Sequence, residues 1–366
     1  MQKDSPHPLS GSDVATLLAV LRANGGVAPG QRGRLLRIAG SVLGRLPFTL
    51  AEQAVTAVRL RRAAPLPPPV FILGHWRSGT THLYNVLSRD PQFGWLPPLA
   101  TGLPWEMLTL VPLLRRSLER QLPEGRYIDN VAVTPDSPQE DEVALANMQP
   151  LSYYHALYFP RRFHAQFDKA VFLDGASEAE VALWQRRFLL LCRKLTLQWD
   201  GRPLLIKNPV YTARVALLRQ MFPEARFIHV HRDPLRIFSS MRNFYAKLMP
   251  PMALQPWDHV DFDTVILRTY DRMMAALVRD TADLPPHRYA EIGFDALEDD
   301  PVGELARVYD QLGLGGFAAA RPRMADYLGS IRGYRKNTYR DEPETKALVE
   351  RHWQPWLARW GHGTSS

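Results

Sequence analysis

One stretch constrains the fold of this chain more than any other: "VFILGHWRSGTTHLYNVL", residues 70–87. An apolar segment, a loop with Gly74 and Gly79, and an amphipathic segment together predict a strand, a glycine loop and a helix. The spacing of the two glycines matches the G-x-x-x-x-G of phosphate-binding loops. Backbone N–H groups at a helix N-terminus attract anions, and glycines let the backbone approach them closely. The stretch therefore predicts an anion-binding loop.

The residues that follow Gly79 differ from those of a nucleotide triphosphatase. Such an enzyme needs a lysine directly after the second glycine to contact the phosphates, and Thr80 stands there instead, followed by Thr81. Arg77, earlier in the loop, offers a planar guanidinium suited to phosphate or sulfate oxygens. The missing lysine argues against a P-loop kinase or NTPase, although an ordinary strand–turn–helix junction remains an alternative for the loop itself.

Composition narrows the class of protein and its partners. The net charge of +8 favours an anionic partner, but the arginines are spread along the chain and no nucleic-acid-binding module is present, so no nucleic acid is expected. The single Cys192 excludes a disulfide framework and a cysteine-based metal site, and it suits a reducing compartment. The N-terminus lacks the pattern of a secretory signal, and no apolar window approaches the ~20 residues that span a bilayer. We therefore expect a cytoplasmic protein.

Strand and helix patterns alternate along most of the chain. Strands are predicted at 70–73, 204–206, 226–230 and 288–292, and helices follow them at 79–89, 211–221, 235–246 and 301–312. This alternation predicts an α/β fold, a P-loop-like parallel β-sheet flanked by helices. Because ligands of such sheets bind beyond the carboxyl ends of the strands, the polar residues after each strand are the candidate site residues.

The first 64 residues are predicted to form an N-terminal helical extension, with helices at 12–24 and 34–62, and residues 65–366 to form the second domain. The helix at 34–62 places arginines such as Arg37 beside leucines such as Leu36 and Leu43. Such a helix either lies on an anionic membrane surface or packs on the core of the protein. Both interpretations stay open at the level of sequence.

A second anion motif follows the strand at 226–230, in "RFIHVHRDPLRIFSSMRNFY". Arg232 leaves the strand, Asp233 is suited to cap the next helix, and Pro234 fits its first turn. Ser240 comes about two turns later, where its hydroxyl can face the same anion as Arg232. Pairing of Arg232 with a carboxylate is the structural alternative. Two anion sites in one sheet indicate a ligand with two separated phosphate groups.

These residues resemble those of the sulfotransferases that use 3′-phosphoadenosine-5′-phosphosulfate (PAPS) as sulfuryl donor. "GHWRSGTTH" is similar to the family's 5′-phosphosulfate loop, and "HRDPLRIFSS" is similar to its 3′-phosphate motif. "LLIKNPVYTARVALLRQMFPEARFIHVHRDP" resembles bacterial and tyrosylprotein-type members, and the resemblance covers about residues 70–360. It implies a transferase that binds PAPS, releases the desulfated product PAP and needs no metal. The acceptor is left open among small molecules, glycans, lipids and peptide tyrosine.

The resemblance assigns roles to individual residues. Arg77 matches the basic residue that contacts the sulfuryl group, although many cytosolic members carry lysine there. The residues implied to bind the 5′-phosphate are Ser78, Gly79, Thr80 and Thr81, and those implied to bind the 3′-phosphate are Arg232 and Ser240. The cytosolic "RKGxxG" is not present. Tyr334, Arg335, Lys336 and Asn337 stand at a comparable late position, and the resemblance makes Tyr334, Lys336 and Asn337 further candidates for binding the 3′-phosphate of the donor.

The remaining catalytic candidates are a lysine and an acidic cluster. Lys207, at the end of a predicted strand, is a candidate for the sulfonate or the 5′-phosphate, and a surface strand-end lysine is the alternative. "SPQEDEVAL" at 137–145 contains the preferred general base, Glu140. A capping box with Ser137 as N-cap is the structural alternative for Glu140. The other candidates for the base are Asp141, Glu142 and His155.

Two aromatic stretches, 93–108 and 150–160, are predicted to line the acceptor pocket. Their ring-bearing residues either stack on an acceptor or fill the core of the protein. The candidates are Trp95, Trp105, Tyr153 and Tyr154.

Overall fold

A computed structural model of the chain describes residues 6–120, 134–332 and 343–362. Within these residues, four strands form one parallel sheet in the order β2-β1-β3-β4. The strands are β1 (Val70–Leu73), β2 (Leu205–Lys207), β3 (Arg226–His231) and β4 (Tyr289–Gly293). The predicted α/β fold is confirmed. The strand that carries the glycine loop lies between β2 and β3, so three strand ends surround the loop.

The α-helices of the described residues surround this sheet. They are α1 (Val14–Ala23), α2 (Arg32–Arg61), α3 (Thr80–Leu87), α4 (Pro98–Gly102), α5 (Leu110–Glu119), α6 (Glu142–Ala146), α7 (Tyr153–Tyr158), α8 (Phe163–Phe172), α9 (Glu178–Gln198), α10 (Val215–Met221), α11 (Pro234–Met252), α12 (Phe262–Thr281), α13 (Phe294–Asp299), α14 (Pro301–Leu312), α15 (Phe317–Ser330) and α16 (Pro343–Arg359). None of them is both long enough and apolar enough to cross a membrane.

Two helix predictions differ from the structure. The segment predicted as a helix at 211–221 begins as a 3₁₀ turn, Pro209–Ala213, and only then continues as α10. The Asn208 side chain accepts the N–H of Val210, which caps the 3₁₀ turn. Helix α11 extends beyond the predicted residue 246 to Met252, because its buried apolar face continues through Leu248 and Met249.

The sheet is covered on both faces, as expected for parallel strands. Phe71 and Leu73 of β1 pack into one large buried cluster together with Phe227 of β3. Val70 and Ile72 point to the opposite face and pack into a second cluster. Side chains that alternate between two buried faces explain why β1 reads as a continuous apolar run.

The N-terminal helices pack on this core through one face. Val20 of α1 and Ile38 and Val42 of α2 belong to the same buried cluster as Phe71. Farther along α2, the buried Glu52 forms a salt bridge with the buried Lys194 of α9. The inner face of α2 therefore packs on the core, which is one of the two interpretations of these helices.

Candidate active site

The loop after β1 has a conformation that glycine makes possible at two positions. Gly74 and Gly79 have φ angles of 146° and 102°, and Gly79 is the N-cap of α3. A Cβ atom on Gly74 would lie 2.6 Å from the carbonyl oxygen of Val230, and one on Gly79 would lie 2.0 Å from the ring of Phe294. The two glycines therefore let the loop fit between β3 and Phe294.

The interior of the loop contains a buried polar atom without a partner. The N–H of Gly74 donates to the Thr212 hydroxyl at 2.8 Å, which fixes the start of the loop. The Ser78 hydroxyl is buried and has no hydrogen-bond partner among the described residues. Since buried hydroxyls are nearly always hydrogen-bonded, an unpaired one in a glycine loop at a helix N-terminus fits an anionic ligand.

His75 is buried beneath the loop surface and stabilises the conformation of the loop. Its Nδ1 donates to the carbonyl oxygen of Trp76 at 2.9 Å, and its ring packs against Tyr270. Burial lowers the pKa of His75 to about 4, so the imidazole is neutral at pH 7. Trp76 in turn packs against Tyr153. These contacts fix the loop rather than add charge to it.

The two predicted anion motifs meet in space. The guanidinium Nε of Arg77 donates to the hydroxyl of Ser240 on α11 at 2.8 Å. Arg232 donates to the backbone carbonyl of Arg77 at 3.3 Å, and its guanidinium lies 4.4 Å from the centre of the Phe294 ring. The ends of β1 and β3 thus bring two arginines and a serine together.

Arg232 is half-buried, and burial lowers the pKa of its guanidinium. The nearby carboxylates of Glu298 and Asp295 oppose this shift. Within the described parts of the chain, however, no carboxylate forms a salt bridge with Arg232. The structural alternative, in which Arg232 pairs with a carboxylate, is therefore wrong for these residues.

A third strand end contributes a buried lysine and a carboxylate. Lys207, the last residue of β2, forms a short hydrogen-bonded salt bridge with Glu140 and donates to the Thr81 hydroxyl at 3.2 Å. The Lys207 side chain is 2% exposed and that of Glu140 is 17% exposed. Lys207 is therefore not a surface lysine. It connects the acidic cluster to the first turn of α3.

The two acidic residues after Glu140 belong to a different, fully buried network. The Asn208 amide donates to Asp141 at 2.9 Å and to Glu142 at 2.7 Å, and the Tyr211 hydroxyl donates to Asp141. Glu142 also accepts the Ser152 hydroxyl at 2.7 Å. Burial raises the pKa of Asp141 to about 7. These hydrogen bonds hold both carboxylates in place and fix the segment that carries Glu140.

The capping box, the structural alternative for Glu140, does not form. Helix α6 begins at Glu142, its N-cap is Asp141, and no side chain caps it. Ser137 instead accepts the N–H of Thr134 at 2.8 Å. Residues 137–140 are thus not helical, and the Glu140 side chain pairs with Lys207 rather than capping a helix.

His155, the remaining candidate for the base, is buried in α7. Its ring nitrogens face the carbonyl oxygens of Pro150 and Ala146 at 2.7 and 3.0 Å. Burial lowers the pKa of His155 to about 4. A neutral imidazole carries one N–H, so one ring nitrogen donates to a carbonyl and both nitrogens face the interior of the protein.

The other predicted residues divide between the core and the undescribed part of the chain. Trp105 and Tyr153 are buried, whereas Trp95 and Tyr154 are only half-buried. Tyr334, Arg335, Lys336 and Asn337 lie outside the described residues.

Sequence reasoning missed three residues that support the site. Phe294 directly follows β4, packs over Gly79 and stacks on Arg232. Thr212 anchors Gly74, and Asn208 joins two acidic side chains. Phe294 and Asn208 both stand directly after a strand, where ligands of parallel sheets bind. Neither side chain is charged or carries a hydroxyl group, so the search for anion-binding residues does not identify them.

A comparison with protein families agrees with this site. Residues 68–318, more than half of the chain, match the model described as "Sulfotransferase family". The chain belongs to the sulfotransferase family. It is therefore an enzyme, a sulfotransferase, and the matched range includes all four strand ends described above.

Individual relatives and solved structures support the same assignment. This sulfotransferase is 29% identical over 313 residues to proteins of Mycobacterium bovis and Mycobacterium tuberculosis named omega-hydroxy-beta-dihydromenaquinone-9 sulfotransferase Stf3, with 86% of this chain and 80% of the relative covered. The structure of STF9 from Mycobacterium avium has a TM-score of 0.71 at 17% identity, covering 95% of this chain and 96% of STF9. STF1 from Mycobacterium tuberculosis has a TM-score of 0.60 at 16% identity, with 93% and 90% covered. The solved structures share the fold of this sulfotransferase.

Proposed function

We propose that this sulfotransferase moves a sulfuryl group from PAPS to a hydroxyl group, or an amine, of a lipid acceptor. The observation that carries the donor assignment is the hydrogen bond between Arg77 and Ser240. It brings the glycine loop and the helix after β3 to one place, as a donor with two separated phosphate groups requires. The unpaired, buried Ser78 hydroxyl fits the 5′-phosphate end of that donor.

PAPS supplies an activated sulfuryl group whose bond to the 5′-phosphate oxygen breaks as a new bond forms to the acceptor oxygen. Arg77 and Lys207 are proposed to stabilise the negative charge that develops on the oxygen left behind, because fixed cations act most strongly in a site shielded from water. Thr80, Thr81 and the first N–H groups of α3 hold the 5′-phosphate. Arg232 and Ser240 hold the 3′-phosphate. We expect no metal to be needed.

Glu140 is proposed as the base that accepts the proton of the acceptor hydroxyl. It is the most exposed of the three neighbouring acids, since Glu140 is half-buried whereas Asp141 and Glu142 are buried. Asp141 and Glu142 accept hydrogen bonds from Asn208, Tyr211 and Ser152, and His155 faces two carbonyls. Glu140 lies beside Lys207, at the strand end where the sulfuryl group is expected.

The lipid acceptor is proposed from the relatives named Stf3, whose full name gives omega-hydroxy-beta-dihydromenaquinone-9 as their substrate. At 29% identity the acceptor of this chain need not be the same molecule. We therefore propose the chemical class, a hydroxyl at the end of a long apolar chain. The similarity to tyrosylprotein-type members, which concerns "LLIKNPVYTARVALLRQMFPEARFIHVHRDP", and a cytoplasmic location stay predictions.

Calorimetric titration with PAP, beside ADP and Mg-ATP, tests the donor. We expect metal-independent binding of PAP, weaker binding of ADP because it lacks the 3′-phosphate, and a loss of about tenfold or more for Arg232→Ala. Arg226→Ala is the matched control, since Arg226 stands at the opposite end of the same strand. Equal binding of PAP and ADP, or preferred binding of Mg-ATP, would contradict the proposal. Binding of PAP without turnover in any acceptor assay would instead indicate a non-catalytic nucleotide-binding protein.

A further inference from the structure

Exposed apolar side chains are concentrated on one part of this protein. Ten large hydrophobic residues are exposed among the described residues, and all ten lie between Leu18 and Leu114, in or beside α1, α2 and α5. The described residues after Leu114 contain no exposed side chain of this kind. Single exposed leucines scattered over a protein surface are ordinary, whereas many exposed apolar side chains close together mark a binding site.

Helix α2 is apolar on two opposite faces. Its inner face contains Ile38, Val42 and Thr56, which are buried. On the other side, Leu36, Leu43 and Leu50 recur every seven residues, or about two turns, and so share one stripe. They are 74%, 59% and 56% exposed, and Val58 extends the stripe at 53%. We call the stripe formed by these four residues, with Arg32 and Arg61 at its ends, the outer face of α2.

The outer face is positively charged as well as apolar. Arg32 lies four residues before Leu36 and Arg61 lies three residues after Val58, so both stand at the ends of the stripe. In the described structure, neither arginine forms a salt bridge. The whole segment 14–50 contains five arginines and no aspartate or glutamate. Of these five arginines, Arg45 forms a salt bridge with Glu106.

We propose that the outer face of α2 binds the surface of an anionic phospholipid membrane, with α2 lying in the interface plane. Leucines on a helix insert at the boundary of headgroups and acyl chains, while arginines are attracted to anionic headgroups. A second copy of the chain is a poorer fit. A twofold interface places the same patch against itself, so Arg32 would face either Arg32 or Arg61 of the other copy.

Helix α5 contains two further exposed leucines. Its N-cap residue Thr109 contacts the buried face of α2, because Glu52 accepts the N–H and hydroxyl of Thr109 at 3.0 and 2.8 Å. Leu113 and Leu114 of α5 are 76% and 42% exposed. A membrane contact does not depend on the identity of the donor, so its test can fail or succeed independently of the proposed function.

Flotation of the full chain with vesicles of phosphatidylcholine containing about one third phosphatidylglycerol tests the proposal. We expect binding at low salt, and at least about tenfold weaker binding on neutral vesicles or at about 1 M salt, where charges are screened within about 3 Å. Leu36→Ser/Leu43→Ser/Leu50→Ser and Arg32→Ser/Arg61→Ser are each expected to lower binding at least about tenfold.

Arg321→Ser/Arg323→Ser is the matched control, because it removes two exposed arginines from α15 without touching the outer face. It is expected to bind vesicles like the parent protein, and an unchanged thermal unfolding midpoint verifies that each variant is folded. Failure of the parent to bind anionic vesicles, or equal loss in the control, would overturn the proposal. So would a dimer, detected by light scattering, that the leucine variant dissociates, because the outer face would then bind a second copy.

Discussion

The contact between Gly79 and Phe294 makes a quantitative prediction about the loop. An alanine at position 79 would hold a left-handed φ of 102° and place its Cβ 2.0 Å from the Phe294 ring. The backbone conformation costs about 1–2 kcal/mol for a residue with a Cβ. Overpacking against a buried ring costs about 1–3 kcal/mol more. Gly79→Ala should therefore lower the free energy of unfolding by about 2–5 kcal/mol.

Gly175→Ala separates the two contributions. Gly175 also has a left-handed φ, of 68°, but a Cβ there would meet no atom within 4 Å. Only the conformational cost of about 1–2 kcal/mol should appear. Urea unfolding of the parent protein and both variants measures the difference, and PAP titration of the folded variants measures the site. We expect PAP binding to weaken in Gly79→Ala and to stay unchanged in Gly175→Ala.

A double-mutant cycle attributes the excess cost to the ring. Phe294→Ala removes the atoms that the new methyl group would overlap, so the double variant should be more stable than the sum of the two single changes predicts, by about 1–3 kcal/mol. Additive effects, together with equal unfolding free energies of Gly79→Ala and Gly175→Ala, would refute the inferred contact between the loop and Phe294.

Three further predictions concern the acidic segment. Glu140→Gln should lower kcat by about 10²–10⁴ and leave the affinity for PAP nearly unchanged, because the change removes a base but keeps the shape of the side chain; steady-state kinetics with an unchanged kcat would contradict this role. Because the pKa of Asp141 is raised in the folded protein, protonation of Asp141 stabilises the fold, and this stabilisation is complete below the unfolded pKa of 3.8. It is lost as the pH rises towards about 7, by up to about 4 kcal/mol. Urea unfolding of Asp141→Asn should therefore depend less on pH between these values than unfolding of the parent protein does. Asn208→Ala removes one hydrogen-bond donor from each of two buried carboxylates and should lower the unfolding free energy by about 2–4 kcal/mol in the same assay, whereas a loss below about 0.5 kcal/mol would show that these two hydrogen bonds are dispensable.

The architecture of the sheet could be predicted from sequence because short strand patterns alternate with helical patterns along the chain. β1 and β3 have the predicted starts, and the two anion motifs were identifiable from residues that lie close together in the chain. Their meeting in space followed from the rule that the carboxyl ends of parallel strands share one edge. The hydrogen bond between Arg77 and Ser240 joins the two motifs at that edge.

The supporting contacts could not be predicted in the same way. The pairing of Glu140 with Lys207 joins residues 67 positions apart in the chain, and nothing local distinguishes that pairing from a capping box. Phe294 is one aromatic residue among many until β4 places it over Gly79. The outer face of α2 reads in sequence as part of an amphipathic helix, and only the packing of Ile38 and Val42 shows which leucines remain exposed.

The most direct test of the central claim is a transfer assay followed by mass spectrometry. The parent protein is incubated with PAPS and a long-chain lipid alcohol, in the presence of a metal chelator, beside the same lipid without its hydroxyl group. We expect PAP to be released together with a lipid product heavier by one SO₃ group, only with the alcohol, and neither product with Arg77→Ala. Lipid phosphorylation by ATP, or no transfer to any hydroxylated lipid despite tight binding of PAP, would contradict the proposed reaction.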